Sequence, residues 1–155
     1  MALHGERCGL RMTADPRYGA GVTTVRQCVP GQVLAYLAGG VPVSGPSRTS
    51  VQVDVDRHLE STGIEGVRYV NHSCAPTAVL DTGLLVLRAV RELVAGDSVT
   101  LFYPATEWDM AEPFTCLCQE NGCLGRVAGA RFLSDAQLSG YRVSAHIQRL
   151  RSGAC

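Results

Sequence analysis

Two short stretches hold the residue types that could do chemistry. In "RYVNHSCAPTAVL", residues 68–80, Asn71, His72, Ser73 and Cys74 stand side by side between apolar segments, and Pro76 stops the run. Four adjacent polar or reactive side chains are a poor way to fill a core, so the stretch reads as a site. In "CLCQENGC", Cys116, Cys118 and Cys123 follow the pattern C-x-C-x4-C. Thiolates this close repel one another unless a cation neutralises them, and a structural zinc ion takes four nitrogen or sulfur ligands in a tetrahedron. The local motif supplies one ligand too few, and Cys74 is the candidate for the fourth. The competing reading is a group of buried free thiols or an exposed redox cluster. Gln119, Glu120, Asn121 and Gly122 between the cysteines favour the metal, because buried free thiols sit among apolar neighbours.

The elements that must position these residues are mostly short strands, because apolar residues alternate with polar ones and turn signals recur at close spacing. Expected strands are Cys8 to Met12, "VTTVRQC" after a loop "ADPRYGAG", and "QVLAYLA" after a type II turn at Pro30 and Gly31. "GGVPVSGPS" reads as a turn-rich connection. "SVQVDVD" should be a half-buried strand with Val51, Val53 and Val55 on one face, "VLDTGLLVLRAV" a hairpin around Asp81 to Gly83, and "SVTLFY" a final strand. A helix is expected in "SDAQLSGYRVSAHIQRL", with Ser134 as N-cap and Gly140 weakening it, and His146 on the surface.

Composition sets the class. A chain of 155 residues with 46% hydrophobic and 18% charged residues suits one globular domain, and no apolar run is long enough for a membrane span. Fourteen basic residues, all Arg, balance fourteen acidic ones, so no net field draws the chain to nucleic acid or membrane. The Arg, Ala, Gly and Val usage is that of a GC-rich bacterial genome, and the chain has no lysine of its own to modify. His4, Glu6 and Arg7 leave no apolar leader segment, so the expected compartment is the cytoplasm, where the cysteines are thiols or metal ligands. Cys8, Cys28 and Cys155 lack metal spacing and read as small apolar residues or, for Cys155, a frayed end.

The ordered set of "YGAG", "RYVNHSCAP", "GDSVTLFY" and "CLCQENGCLGRV" resembles the SET domain of protein lysine methyltransferases followed by a post-SET zinc segment. The resemblance spans about residues 7 to 129. It implies a mostly β SET fold of small curved sheets, with knot-like threading of the C-terminal strand, a zinc lobe and a C-terminal helix. It implies a SET domain over 7–105, a zinc segment over 106–129 and a helical tail over 130–155. S-adenosylmethionine would be the cofactor, met by Tyr18, Gly19, Ala20, Gly21, Arg68, Asn71, His72, Tyr103, Phe114 and Leu117. Zinc would be held by Cys74, Cys116, Cys118 and Cys123. Tyr103 would be the catalytic tyrosine at the mouth of a channel, and the partner a lysine amine of a protein.

The chain departs from that pattern on the substrate side. Phe102 stands where relatives have Asp, Thr77 where they often have Asn, "SVQVDVD" lacks a second channel aromatic, Tyr36 lacks its usual Glu neighbours, and the insert before Arg68 is short. These differences keep a second reading open: a small-molecule substrate in metabolite biosynthesis, methylated or cyclised with the cofactor as a charge. A third is a binding module without catalysis.

Overall fold

The computed structural model describes residues 7–37, 39–61 and 67–153. Among the described residues, twelve short strands form five small sheets. An antiparallel hairpin joins β1 (Leu10–Asp15) to β2 (Gly19–Thr24). The segment expected as a loop, residues 14–21, therefore lies largely in strands around a tight turn at residues 16–18. There the Asp15 carboxylate accepts from the backbone N–H groups of Arg17 at 2.8 Å and Tyr18 at 3.2 Å, replacing ladder bonds with a side-chain one.

Next come β3 (Val33–Tyr36), β4 (Val41–Val43), β5 (Ser50–Asp54) and β6 (Arg57–Glu60). The turn before β3 is as expected: the Gln32 N–H donates to Val29 at 3.1 Å across Pro30 and Gly31, and Gly31 holds φ +84°. The turn-rich connection before β5 contains β4, and β5 is the middle chain's outer strand in the order β4-β6-β5. Alternation in β5 fails, since Gln52 is as buried as Val53, and the register slips between Gln52 and Asp54. Buried Gln52 is satisfied instead by the Trp108 N–H, which donates to its Oε1 at 2.9 Å.

β7 (Asn71–His72) runs parallel to β10 (Thr100–Leu101), while β8 (Ala78–Asp81) and β9 (Val86–Ala89) form the expected hairpin and pair with β3 in the order β3-β9-β8. Leu34, Leu37, Leu80, Leu87, Leu93 and Val99 make the main core beneath them. Cys8 and Cys28 are both fully buried in this core, as small residues should be, yet the structure joins them as a disulfide, which corrects the expectation of free thiols. Their segments are brought together by the Cys28–Leu93 bridge and by the Cys8 N–H bond to Val33.

The last part is built from β11 (Phe114–Thr115), β12 (Arg126–Val127), α1 (Asp135–Leu138) and α2 (Ala145–Ser152). Ser134 caps α1 as expected, with Gln137 completing a capping box. The chain leaves the helix after Leu138, passes Gly140 at φ +89° and starts again at Ala145. The restart shifts the helical phase, so His146 turns inward beside Ile147 and is 1% exposed, not on the surface. Its Nε2 donates to the Thr106 carbonyl at 2.7 Å. The Ser144 N–H and hydroxyl both donate to Ala105, docking the tail on the 3₁₀ turn Tyr103–Ala105. Among the described residues no helix is long and apolar enough to cross a membrane. Cys155 lies outside the described residues.

Gly129 sits where this docking is tightest. Its φ is +121°, and a Cβ there would lie 2.4 Å from the Trp108 carbonyl oxygen. Gly129→Ala is therefore expected to cost at least about 2 kcal/mol of stability, combining backbone strain with a clash that only main-chain movement relieves, read as a fall in thermal midpoint.

Candidate functional site

The site is assembled around His72. Its Nδ1 accepts from the Tyr103 backbone N–H at 3.1 Å, which fixes the proton on Nε2, and Nε2 points at the Cys74 sulfur at 3.3 Å. Burial lowers its pKa to about 4, so the ring is neutral near neutral pH. Two residues earlier in β7's neighbourhood, the Val70 carbonyl accepts from the Tyr103 hydroxyl at 2.7 Å. Burial raises the Tyr103 hydroxyl, with Glu107 adding to the rise, so the phenol stays protonated.

Asn71 ties the N-terminal hairpin to this centre, since its amide nitrogen donates to the Ala20 carbonyl at 2.7 Å. Gly21 eases that approach, because a Cβ would lie 3.3 Å from both the Asn71 amide nitrogen and the Asp15 side chain, which would have to give way slightly. Tyr18 reaches the other way: its hydroxyl oxygen accepts from the Leu117 N–H at 2.9 Å. Tyr18, Asn71, His72, Tyr103, Phe114 and Leu117 thereby line one cleft of about 340 Å³. His72, Tyr103 and Phe114 meet edge to face with centroids 5.4 to 6.0 Å apart, which stiffens the cleft floor. Of the ten residues assigned to the cofactor from sequence, these six are together. Gly19, Ala20 and Gly21 lie in β2 behind them, and Arg68, exposed, lines the neighbouring cavity instead.

That second cavity, about 70 Å³, runs between β5, Val67, Val70 and the Tyr103–Met110 strap. Tyr103 belongs to both cavities. Glu107, unremarked in the sequence reading, also lines it. Its Oε1 accepts from the Gln52 N–H at 2.9 Å and from the Thr106 hydroxyl at 3.2 Å. Burial pushes its carboxyl up to about 7 against these hydrogen bonds. The segment "TEWDM" carries two acids, Glu107 and Asp109, and nothing in their spacing marks Glu107 as the one that enters the cavity.

The sulfurs of Cys74, Cys116, Cys118 and Cys123 all lie within 4.8 Å of one another. Cys74 and Cys116 are 3.9 Å apart, against the roughly 3.8 Å edge of a tetrahedron with 2.3 Å zinc–sulfur bonds. The Leu124 and Gly125 N–H groups donate to the Cys74 and Cys123 sulfurs at 3.4 and 3.5 Å. Burial pushes the Cys74 and Cys116 thiols up. For Cys118 burial acts the same way but the backbone N–H groups of Cys74 and Glu120 outweigh it and bring the thiol down to about 7. Distances, ligand type and amide donors fit a zinc ion.

The departures from the resemblance have local partners. Phe102 stacks on Tyr141 with centroids 3.6 Å apart, and Tyr141 donates to the Cys74 carbonyl at 2.6 Å, so an apolar ring here clamps the tail. Thr77 exchanges hydrogen bonds with Thr100 and donates to the Ser98 carbonyl at 2.9 Å, which secures β10.

No family model matches the chain. The structure resembles crystal structures of KRYPTONITE, one in complex with mCHH DNA, an H3(1–15) peptide and SAH and one with mCHG DNA and SAH. Each has a TM-score of 0.59 at 18% identity, covering 77% and 76% of this chain but only 29% and 28% of those chains. This chain therefore spans under a third of their length, and the likeness is one of fold. A methyltransferase of Aspergillus flavus, flvH, is 33% identical over 152 residues, covering 97% of this chain and 84% of its own. This chain belongs to the SET-domain methyltransferases. Within that family, its catalytic chemistry is methyl transfer on a mostly β fold, and the cysteine cluster and C-terminal helix sit where the resemblance puts them.

Two outcomes follow from the geometry. Cys74→Ser is expected to lower bound zinc below one equivalent by metal analysis, and chelation to raise hydrogen exchange in β11 and β12 while β3, β8 and β9 stay protected. For Glu107, the folded carboxyl lies above its ordinary value of 4.5, so the native state holds the extra proton between pH 4.5 and 7 and stability falls as pH rises through that window. Glu107→Gln should then be more stable than the parent at pH 8, by up to about 3 kcal/mol, and equal to it near pH 4, as measured by denaturant unfolding.

Proposed function

We propose that this chain transfers the methyl group of S-adenosylmethionine to an aliphatic amine, with a lysine amine of a protein as the leading substrate. The observation that carries the reading is that Tyr103 lines both cavities, so one residue joins a cleft of about 340 Å³, taken as the cofactor's, to a narrower cavity of about 70 Å³, taken as the acceptor's. The SAH in the KRYPTONITE complexes and the H3 peptide in one of them support the cofactor and the substrate class.

The cofactor cleft fits the group on this chain's own evidence. It is walled by the aromatic rings of Tyr18, Tyr103 and Phe114, Asn71 and His72 bring polar groups to it, and Arg48 and Glu112 line it as well. Tyr18, Asn71, His72, Phe114 and Leu117 would hold the cofactor. S-adenosylmethionine supplies an electrophilic methyl group on a positive sulfonium. The residues of the chain align the acceptor and exclude water. The Tyr103 hydroxyl, with its proton committed to Val70, keeps its oxygen lone pairs free to orient an amine by accepting one of its N–H bonds. Cys74, Cys116, Cys118 and Cys123 would hold a zinc ion, which would tie the segment carrying Phe114 and Leu117 over the cleft. The regions 7–105, 106–129 and 130–155 would act as catalytic body, zinc segment and tail.

A small-molecule amine is the second reading, favoured by the short connection that replaces a peptide-binding insert and by the channel's small free volume. Incubation of a cell extract with methyl-labelled cofactor separates the two: label in protein supports the first and label confined to small molecules the second. Tyr103→Phe should lower turnover about a hundredfold with cofactor affinity little changed, and unchanged turnover removes the tyrosine from the mechanism.

A further inference from the structure

Glu107 is an acid without a cation. Among the described residues it makes no ion pair; its two hydrogen bonds, from the Gln52 N–H and the Thr106 hydroxyl, both fall on Oε1. Oε2 is left with no protein partner in a residue that lines the channel. Three other charged side chains line the same channel and none pairs with Glu107: Arg48 pairs with Glu112 at 4.0 Å, both mostly exposed, and Arg68 is exposed at the channel's rim. Tyr103 is the other ionisable group there, and it is neutral.

The carboxylate is also rigidly aimed. The Glu107 N–H donates to the Tyr103 carbonyl at 2.9 Å, so both side chains leave one turn and enter one cavity. Three anchors hold that turn from behind: His146 on the Thr106 carbonyl, Ala130 N–H on the Glu107 carbonyl at 2.8 Å, and Gln52 on the Trp108 N–H. An acid half-buried in a channel with no cation paired to it costs stability, and such groups are kept where a ligand supplies the missing charge.

We propose that Glu107 is the anionic site that recruits the substrate, binding the ammonium form of an aliphatic amine through Oε2 and setting it beside Tyr103. The channel walls, Leu37, Val51, Val67, Val70 and Leu101 among them, pack an unbranched alkyl stem, and the free volume of about 70 Å³ admits the end of one narrow chain. With its carboxyl at about 7 when empty, Glu107 becomes fully ionised once a cation arrives. A free amine and one borne on a peptide present the same recognised chemistry. This assignment rests on the methyl-transfer reading for its purpose, but the binding of a cation does not depend on the cofactor.

The test is a titration of the full chain, followed by NMR, with butylammonium chloride, with 1-pentanol, a neutral alcohol one methylene longer, and with Nα-acetyl-lysine N-methylamide. Butylammonium is expected to bind at least tenfold more tightly than 1-pentanol, and Glu107→Gln, which keeps the acceptor for Gln52, to abolish that preference without changing pentanol affinity. Tighter binding of the lysine amide than of butylammonium assigns the amine to a peptide, and the reverse to a free molecule. Equal affinities for butylammonium and pentanol in the parent chain, or no saturable butylammonium binding, overturn the proposal even if the variant does not fold. Glu107→Asp gives a second check, since it should retain part of the cation preference. S-adenosylhomocysteine is titrated in parallel by calorimetry: its failure to bind the parent chain refutes the methyl-transfer reading and leaves the cation result to stand or fall alone.

Discussion

The bond from the Tyr103 backbone N–H to Nδ1 of His72 is the constraint on which the site depends. It settles the tautomer of the ring, and the tautomer settles that Nε2 faces Cys74 as a donor. A sulfur that accepts N–H bonds from His72 and from Leu124 is prepared to carry negative charge, as a metal ligand must. The same bond fixes the backbone from which the Tyr103 side chain departs. One imidazole thus couples the thiol cluster to the channel tyrosine, and its burial is what keeps it neutral and able to serve both neighbours.

Around this centre the molecule is a set of small sheets that cannot stand alone, since strands of two to six residues bury little area each. Their cohesion comes from contacts between them. β7 and β10 meet in parallel, Asn71 reaches β2, Thr77 interlocks with Thr100, and Tyr141 bridges Phe102 to Cys74. The tail helix contributes through Ile147, fully buried, whose removal from water is worth about 2 kcal/mol, and through His146, which pins the strap carrying Glu107.

Much of this was legible in the sequence. The asparagine, histidine and cysteine run and the C-x-C-x4-C spacing told which residues would meet, because reactive side chains in a polar local setting have few structural uses. The Pro30–Gly31 turn and the Ser134 cap were legible because their chemistry is local. What was hidden depended on distant partners. Gln52 reads as the outward residue of an alternating strand, yet it faces inward because the Trp108 N–H, 56 residues on, needs an acceptor. His146 reads as one more polar residue among arginines, and only the helix restart after Gly140 turns it toward Thr106. Cys8 and Cys28 carry no spacing signal, since the pairing of β1's entry with the Leu93 bridge brings them together. Glu107 was invisible for the same reason: its burial is made by three other segments.

The hydrogen bond between the Tyr18 hydroxyl and the Leu117 N–H joins positions 99 residues apart. During synthesis the N-terminal hairpin emerges long before the residues that cover its cleft, and a domain folds as a unit. The cleft is walled on its far side only once Phe114 and Leu117 have been made. Ligand capture is thereby timed to a chain synthesised past residue 117.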